Sequence, residues 1–458
     1  MLSPQKKVIN KFELIMIILI AFQPIIDLLT TFSIVVLEID FTFGVLFRFI
    51  ILVLSGIYIL IKCTSHPPYR KYLYYLVALF AVVTINLVVN LNVKPNFSIS
   101  EEVKFAFKAV YLFIMFIAYI FVFKSLNNAS LDNQSNLIKK IVYSALIIDI
   151  VMLFSILTST SRTSYDYTKI GFTGWFFAGN EIGAILAMSF PLVVLYGVRK
   201  TTNVKNIYFW LPAILTIFSL IMVGTKVGYG AIIITILITL TMCAWEYIKT
   251  KEKSYRLNSV VSALLLLLLI IITPLTPIFQ NTYSHLDLVG YSDKENNVEQ
   301  HDGKKEDTVE DEQENNGLTK EQVGSLVFSS RDQYLYQHQE FFEEAPLIQK
   351  LFGMGYAGNY KQSPKLIEMD FYDLFYSYGI IGFIVIFSIL IFFVAKLFLY
   401  VIKNIKTFFT IDKILISSSL ALGTGIAFTA GHVLIAPAVS IYLAAILALL
   451  LNQLNLSR

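Results

Sequence analysis

Residues 368–399 read EMDFYDLFYSYGIIGFIVIFSILIFFVAKLFL, and this stretch indicates the class of fold to which the chain belongs. The apolar run that begins at Leu374 exceeds the roughly 20 residues that a helix needs to cross about 30 Å of hydrocarbon. Three carboxylates, Glu368, Asp370 and Asp373, lie directly before it or at its start. Because an ionisable group at a membrane boundary is costly, this cluster indicates a functional site at the start of a transmembrane helix.

Apolar character extends over the whole chain. Of its 458 residues, 56% are hydrophobic and 15% are charged, with a mean hydropathy of +0.67. These values exclude a soluble globular protein. We therefore predict an all-α polytopic membrane protein with about twelve transmembrane helices and one long outward loop. The predicted spans are 12–37, 41–62, 71–92, 105–123, 138–158, 179–198, 207–224, 227–248, 257–277, 371–396, 412–430 and 433–453.

The predicted helices divide the chain into three parts. Residues 1–277 hold the first nine helices, 278–370 form the long connection, and 371–458 hold the last three. The first apolar run is too long for a signal peptide, so we interpret it as a retained helix. With the N-terminus inside, 20 lysines and arginines lie on the inner side, besides the terminal Arg458, against five in the short outer loops. The positive-inside rule then predicts that both termini are cytoplasmic and the long connection is extracytoplasmic. We expect a multi-pass protein of the plasma (inner) membrane.

The long connection has two parts of different composition. From 285 to 325 it carries twelve acidic residues, four basic residues and one aromatic, so we predict a disordered acidic insertion there. From 327 to 370 apolar residues return, at helical spacing in Leu335, Phe341 and Phe342. We predict an amphipathic helix on the outer membrane surface, followed by a segment that carries sequence motifs. The alternative is a lid that only covers the bundle.

Several classes of function find no support in the composition. The basic residues are spread through short loops and form no single patch, which argues against nucleic acid binding. The two cysteines, Cys63 and Cys243, provide neither a disulfide framework nor a Cys/His metal spacing. We therefore expect no nucleic acid partner, no disulfide framework and no Cys/His metal site.

The ionisable residues predicted to lie in or beside the membrane fall on its outer side. A transporter would need polar groups near the middle of the membrane and access from both sides. The one-sided distribution instead predicts a cavity that opens to the outside and to the outer leaflet. These residues are Asp27, Arg48, Lys108, Asp149 and Glu181 in the spans, and Arg162, Asp166, Lys169, Lys226, Arg331, Glu368, Asp370, Asp373 and His432 in the loops or at their edges.

Both signs of charge in such a cavity favour one kind of chemistry. Lysine and arginine side chains bind phosphate or pyrophosphate, and arginine can do so in a bidentate manner. A neighbouring carboxylate can accept the proton of an attacking hydroxyl. Together these groups fit the transfer of a group off a phosphate leaving group. The simpler alternatives are a solvated Lys226, a structural ion pair of Asp27 with Arg48, a solvated Asp373 and a packed His432.

The order of short motifs resembles the O-antigen ligase and Wzy-type polysaccharide polymerase family. In that family an arginine opens an outward loop, and Gly-x-Gly, a histidine and Gly-x-x-Gly follow. Here these positions are Arg331, Gly353-Met-Gly355, Glu368 in place of the histidine, and Gly379-Ile-Ile-Gly382. The resemblance extends over nearly the whole chain through Gln23–Thr30, Gly171–Asn180, Gly224-Thr-Lys226 and Gly431-His432.

The resemblance implies a GT-C-like, metal-independent, inverting membrane glycosyltransferase without a cofactor. Its donor would be a glycan on an undecaprenyl-pyrophosphate carrier in the outer leaflet, and a second glycan would be its acceptor. Arg331 would hold the pyrophosphate, and Lys226 stands where relatives place a second basic residue. Glu368 or Asp370 would remove the proton of the acceptor hydroxyl. The further residues predicted to bind substrate are Arg162, Lys169, Asn180, Asp373, His432, Asp27 and Arg48.

Within this family we expect polymerisation of a cell-surface polysaccharide of the O-antigen, exopolysaccharide or teichuronic type, alongside partner proteins of polysaccharide assembly. A ligase that hands finished glycan to a final acceptor shares the same motifs and is the first alternative. A lipid-linked-oligosaccharide flippase or secondary transporter is the alternative from another class, and it would need an inward-facing polar path.

Overall fold

The computed structural model describes residues 4–39, 42–128, 133–164, 170–282, 331–362 and 364–456. The predicted disordered insertion, Asp166 and Lys169 lie outside these ranges. The strands β1 (Arg162–Thr163) and β2 (Phe172–Gly174) form one short antiparallel pair. The helices are α1 (Pro4–Val35), α2 (Phe43–Ser65), α3 (Arg70–Val93), α4 (Ile99–Asn128), α5 (Asn133–Leu157), α6 (Gly179–Lys200), α7 (Leu211–Val223), α8 (Lys226–Thr250), α9 (Lys253–Ile272), α10 (Arg331–Glu344), α11 (Leu347–Phe352), α12 (Asp370–Lys403), α13 (Ile405–Phe408), α14 (Ile411–Thr429) and α15 (Pro437–Gln453).

Eleven helical segments of the described chain are long and apolar enough to cross a membrane. This confirms the prediction of an all-α polytopic membrane protein. The twelfth predicted span, 433–453, is shorter than expected, because α15 begins only at Pro437 and has 17 residues. At 1.5 Å per residue it is about 26 Å long. It begins late because the N–H groups of Val433 and Leu434 bind the carboxylate of Asp370 instead of entering the helix.

The centre of the bundle is formed by α4, α6 and α15. In the most apolar 18-residue stretch of α4, 83% of the residues are buried, and in that of α6 the fraction is 89%. The corresponding stretch of α9 has only 17% of its residues buried. The central helices are apolar on all sides, and such a helix must be enclosed by other helices or by lipid. Accordingly, α4 packs against α15 and α6 packs against α14, while α9 lies at the periphery.

One end of the bundle, which we call the site end, gathers the loops after α3, α7 and α9 together with the chain that precedes α12 and α15. Lys94 donates a hydrogen bond to the carbonyl of Tyr356, and the N–H of Tyr356 donates to Glu102 at 2.8 Å. Gly431 lies against Glu368, since a Cβ on Gly431 would stand 2.5 Å from the Glu368 carbonyl oxygen. Loops that are far apart in the sequence are therefore in direct contact at the site end.

The helix predicted in 327–370 consists of α10 and α11. The ring of Phe342 lies 5.4 Å from that of Tyr376, and the ring of Phe341 lies 4.9 Å from that of Tyr360, measured between centroids. Thus α10 buries apolar side chains against the protein itself, on the segment that surrounds the start of α12. Its contact with the membrane surface stays a prediction.

The two glycine motifs of the long connection pack against each other. Helix α12 is interrupted at Gly379, which has φ 66° and ψ −173°. The carbonyls of Tyr376 and Ser377, which lie just before the interruption, have partners outside their own helix. They accept hydrogen bonds from the N–H groups of Met354 and Gly355, at 2.9 Å and 3.0 Å. The Gly-x-Gly segment is therefore a backbone partner for a break in a transmembrane helix.

Two asparagines of α3 complete this arrangement. Asn86 donates to the carbonyls of Phe352 at 2.6 Å and Ser377 at 2.8 Å. Asn90 donates to the carbonyl of Gly353 at 3.1 Å. Because an unpaired carbonyl in a buried position costs about as much as a lost hydrogen bond, these amides stabilise the break. The break in turn sets where the acidic start of α12 lies.

Gly353→Ala is expected to lower the free energy of unfolding by at least about 2 kcal/mol, through the left-handed backbone and the displaced contact. The φ of Gly353 is 91°, and a Cβ there would stand 2.0 Å from the Ser377 carbonyl oxygen. Thermal denaturation of the purified protein in detergent measures the effect. Gly425→Ala in α14 is the matched control, because no atom lies within 4 Å of its added Cβ. Equal melting temperatures for Gly353→Ala and the unmodified protein would contradict the packed contact.

Candidate functional site

A cleft of about 960 Å³, counting the space open to the surroundings, lies at the site end among α6, α8, α10 and α14. We call it the cationic cleft, because Lys226 and Arg331 line it and none of its described lining residues is a carboxylate. Asn180 and Gly431 also line this cleft. The structure thus brings together three of the residues that the sequence predicted for the site, from three separate helices.

Lys226 is the first residue of α8, and a short turn holds it in the cationic cleft. Gly224 ends α7 in the left-handed conformation, with φ 76°, and Thr225 caps α8 by accepting a hydrogen bond from a backbone N–H. The side-chain amide of Asn281 donates to the carbonyls of Gly224 and Ile170, at 3.1 Å and 2.7 Å. The N-terminus of α8 therefore lies in the cleft, where its dipole adds to the positive charge of Lys226.

Arg331 is the first residue of α10, and it contacts Glu368 in the loop before α12. One guanidinium nitrogen of Arg331 lies 3.4 Å from Glu368 Oε2. The other oxygen of Glu368 accepts a hydrogen bond from Lys365 Nζ at 2.9 Å. His432 Nε2 lies 3.9 Å from Glu368 Oε2. One carboxylate is thus surrounded by three basic side chains from different parts of the chain.

These contacts shift the pKa values of Glu368 and His432 in opposite directions. The contact with His432, followed by that with Lys365, lowers the pKa of Glu368 to about 2, although burial opposes this shift. Burial by itself lowers the pKa of His432, but Glu368, Asp370 and Glu181 outweigh burial and raise that pKa above its ordinary value. At neutral pH Glu368 is therefore ionised, and the equilibrium of His432 is displaced toward the imidazolium.

Glu368 and His432 both have strained backbones. Their φ angles are 64° and 60°, in the left-handed region that L-residues other than glycine rarely adopt. Each such residue costs about 1–2 kcal/mol. Strain of this kind persists where the surrounding structure enforces it, and it is concentrated at functional sites. The two residues that face each other across the site are therefore held there by the fold.

Asp370 and Asp373 fix the backbone of the segments that carry Glu368 and His432. Asp370 is fully buried and accepts hydrogen bonds from the N–H groups of His432, Val433 and Leu434, at 3.0, 2.8 and 2.6 Å. Asp373, which is 1% exposed, accepts from the N–H groups of Ile367 and Met369 at 2.8 and 3.1 Å. The alternative of a solvated Asp373 is therefore wrong. Both carboxylates use their oxygens to bind backbone and are not free to bind a hydroxyl.

Asp27 and Arg48 form a buried ion pair between α1 and α2. A guanidinium nitrogen of Arg48 also lies 3.4 Å from the amide oxygen of Gln23. Arg48 is 7% exposed and interacts electrostatically with Glu181. The ion pair considered from the sequence is thus present, and through Glu181 it is coupled to the site.

A second cavity, of about 730 Å³ on the same measure, lies between α4, α6, α12 and α15. We call it the acidic cavity, because five carboxylates line it. Lys108 and Glu181 lie on its wall, and the sequence had marked both only as ionisable residues within spans. Their position beside the site could not be assigned until the packing of α4 against α6 was known.

The remaining predicted site residues lie elsewhere. Arg162 is in β1, 5.5 Å from the ring centroid of Phe177, and lines neither the cationic cleft nor the acidic cavity. Lys169 lies outside the described residues. Within the described ranges, no group of three or more His, Cys, Asp or Glu side chains is arranged to hold a metal ion. The predicted site residues that meet at the site end include Arg331, Lys226, Glu368 and His432.

Comparison with known proteins identifies the family of the chain. A family model described as O-antigen ligase like membrane protein matches residues 9–457. No curated protein matches the chain. The family supports a membrane enzyme that processes glycans. Since the match covers nearly the whole sequence, the chain belongs to the O-antigen ligase-like family of membrane proteins.

Proposed function

We propose that this protein is a glycosyltransferase that polymerises a cell-surface polysaccharide. It transfers the growing glycan from an undecaprenyl-pyrophosphate carrier to a hydroxyl of a new lipid-linked repeat unit. In this proposal the site end faces the outside at the outer leaflet, and both termini lie in the cytoplasm. The observation that carries the proposal is the cationic cleft of Arg331 and Lys226, with the Glu368–His432 contact at its edge.

The cationic cleft suits a diphosphate leaving group. When the sugar–oxygen bond to the carrier breaks, its electron pair leaves with the diphosphate, which then bears additional negative charge. Arg331, Lys226 and the N-terminus of α8 stabilise that charge from fixed positions. Such preorganised groups act on charge that develops in the transition state, so they raise the rate and not only the affinity.

The geometry favours His432 as the group that accepts the proton of the attacking hydroxyl. Asp370 is fully buried and holds three backbone N–H groups. Glu368, with a pKa of about 2, is a weak base at neutral pH. His432 Nε2 makes no hydrogen bond within the described chain, and Glu368 lies next to it to stabilise the imidazolium. In this proposal, His432 and Glu368 together perform the role that the resemblance assigns to the single histidine of the family motif.

The lipid-linked intermediates of a strain that lacks the gene test the proposal and separate it from its alternatives. A polymerase predicts accumulation of single repeat units on the lipid carrier, because repeat units are made and not joined. A ligase, which the description of the matching family favours, predicts accumulation of long lipid-linked chains. A flippase predicts that single units accumulate on the cytoplasmic side, where an external glycosidase cannot reach them. Unchanged intermediates would contradict all three.

A further inference from the structure

The acidic cavity adjoins the cationic cleft where Glu368 contacts Arg331 and His432. Arg331 lines the cleft and its partner Glu368 lines the cavity. Gly431 likewise lines the cleft, and the next residue, His432, lines the cavity. The two spaces therefore meet where Arg331, Glu368 and His432 lie together, so a molecule in each would have its reacting end at the same place.

The two spaces differ in charge. The described lining of the cationic cleft carries Lys226 and Arg331 and no carboxylate. Five carboxylates line the acidic cavity, and they outnumber its two lysines, Lys104 and Lys108, together with His432. Carboxylates repel a diphosphate, so the donor's leaving group belongs in the cleft. The acidic cavity instead suits a neutral ligand that is rich in hydroxyl groups. Its apolar wall, which includes Phe105, Leu366 and Pro437, suits the C–H face of a sugar ring.

Glu181 is a carboxylate of the acidic cavity that is available for such a ligand. It lies in the first turn of α6, is partly exposed and makes no hydrogen bond to other described residues. Asp370 and Asp373, by contrast, bind backbone N–H groups. Glu181 interacts electrostatically with His432 and Lys108, which also line the cavity. A carboxylate accepts hydrogen bonds from two adjacent sugar hydroxyls, and the lysine can donate to others.

We propose that the acidic cavity binds the acceptor glycan, with Glu181 and Lys108 as its binding residues. This inference rests on the proposed function and names the place of its second substrate. The attacking hydroxyl lies beside His432, and the donor reaches it from the cationic cleft. The new bond joins the hydroxyl oxygen to the anomeric carbon. The bond from that carbon to the diphosphate breaks, and the hydroxyl proton passes to His432.

Steady-state kinetics with two separate substrates tests the inference. The donor is lipid-linked repeat units extracted from the strain that lacks the gene, and the acceptor is the same glycan freed from lipid by mild acid and labelled fluorescently. Glu181→Gln and Lys108→Met should each raise the KM for the freed glycan about tenfold or more, the scale of a lost charged hydrogen bond. The KM for the donor, measured at saturating freed glycan, should change less than about twofold, since neither residue lines the cationic cleft.

Glu340→Gln is the matched control, because Glu340 is an exposed carboxylate of α10 that lines neither space. It should leave both KM values unchanged. Lys108 is exposed, so Lys108→Met keeps the test decisive if Glu181→Gln fails to fold. An unchanged acceptor KM, or an equal rise in both KM values, overturns the acceptor site. If the unmodified protein neither extends the glycan nor consumes the donor, the proposed function itself fails.

Discussion

Arg331→Gln is expected to reduce formation of long-chain product about a hundredfold to a thousandfold, the range observed when one preorganised donor to a developing oxyanion is removed. Arg331 lines the cationic cleft, so its guanidinium is placed to meet the diphosphate as charge develops. The loss should appear in kcat, because the interaction is strongest in the transition state. Product length on gels, together with rates on extracted lipid-linked donor, measures the effect.

Two further variants sharpen the interpretation of Arg331. Arg331→Lys keeps the charge but loses the planar bidentate contact, so it should recover only part of the lost rate. Lys361→Gln removes an exposed positive charge that lines neither the cleft nor the acidic cavity, and it should leave the rate unchanged. A normal chain-length distribution in Arg331→Gln protein that reaches the membrane would count against the leaving-group role.

His432→Gln is expected to lower the rate about a hundredfold to ten-thousandfold, the usual contribution of a general base. The base must be neutral to accept a proton, so activity should rise with pH through the pKa of His432. That pKa lies above its ordinary value of about 6.5, because Glu368, Asp370 and Glu181 favour the charged form more than burial opposes it. The acidic limb of the pH–rate profile should therefore lie above pH 6.5 and be absent in His432→Gln.

The Glu368→Gln variant distinguishes the role of His432 as proton acceptor from the role of Glu368 as its charged partner. Removing the Glu368 carboxylate takes away a charge that raises the pKa of His432, so the acidic limb should move to lower pH. The maximal rate should also fall, because the imidazolium formed in the reaction loses a counter-charge 3.9 Å away. If the acidic limb of the pH–rate profile stays at the same pH while the maximal rate falls, Glu368 acts on the substrate and not through His432.

Much of the molecule follows from patterns that are local in the sequence. Long apolar runs specify membrane helices because the cost of exposing backbone to lipid leaves no other structure for such a segment. The spacing of these runs also predicts that Lys226 and Arg331 lie in connections on the same side of the membrane, and the structure places each of them at the start of a helix. Their meeting in one cleft agrees with the cavity that the one-sided charges predicted.

Other features depend on contacts that no local pattern contains. Asp370 and Asp373 look equivalent in sequence to Glu368, yet they turn inward to bind backbone while Glu368 faces basic side chains. The contact between Glu368 and His432 joins the residue before the first helix of a hairpin, α12, to a residue that follows its second long helix, α14. Such a pairing depends on how α12 and α14 pack.

The sequence by itself determined the all-α membrane architecture and the family. The length of apolar runs, the charge asymmetry and the order of motifs are all visible in the sequence, and recognising them requires no knowledge of packing. Only the tertiary structure decided that Asp370 and Asp373 bind backbone N–H groups, that His432 lies beside Glu368, and that the cationic cleft and the acidic cavity meet there. Those features arise from side chains brought together across the bundle, where burial and backbone N–H groups give similar carboxylates different roles.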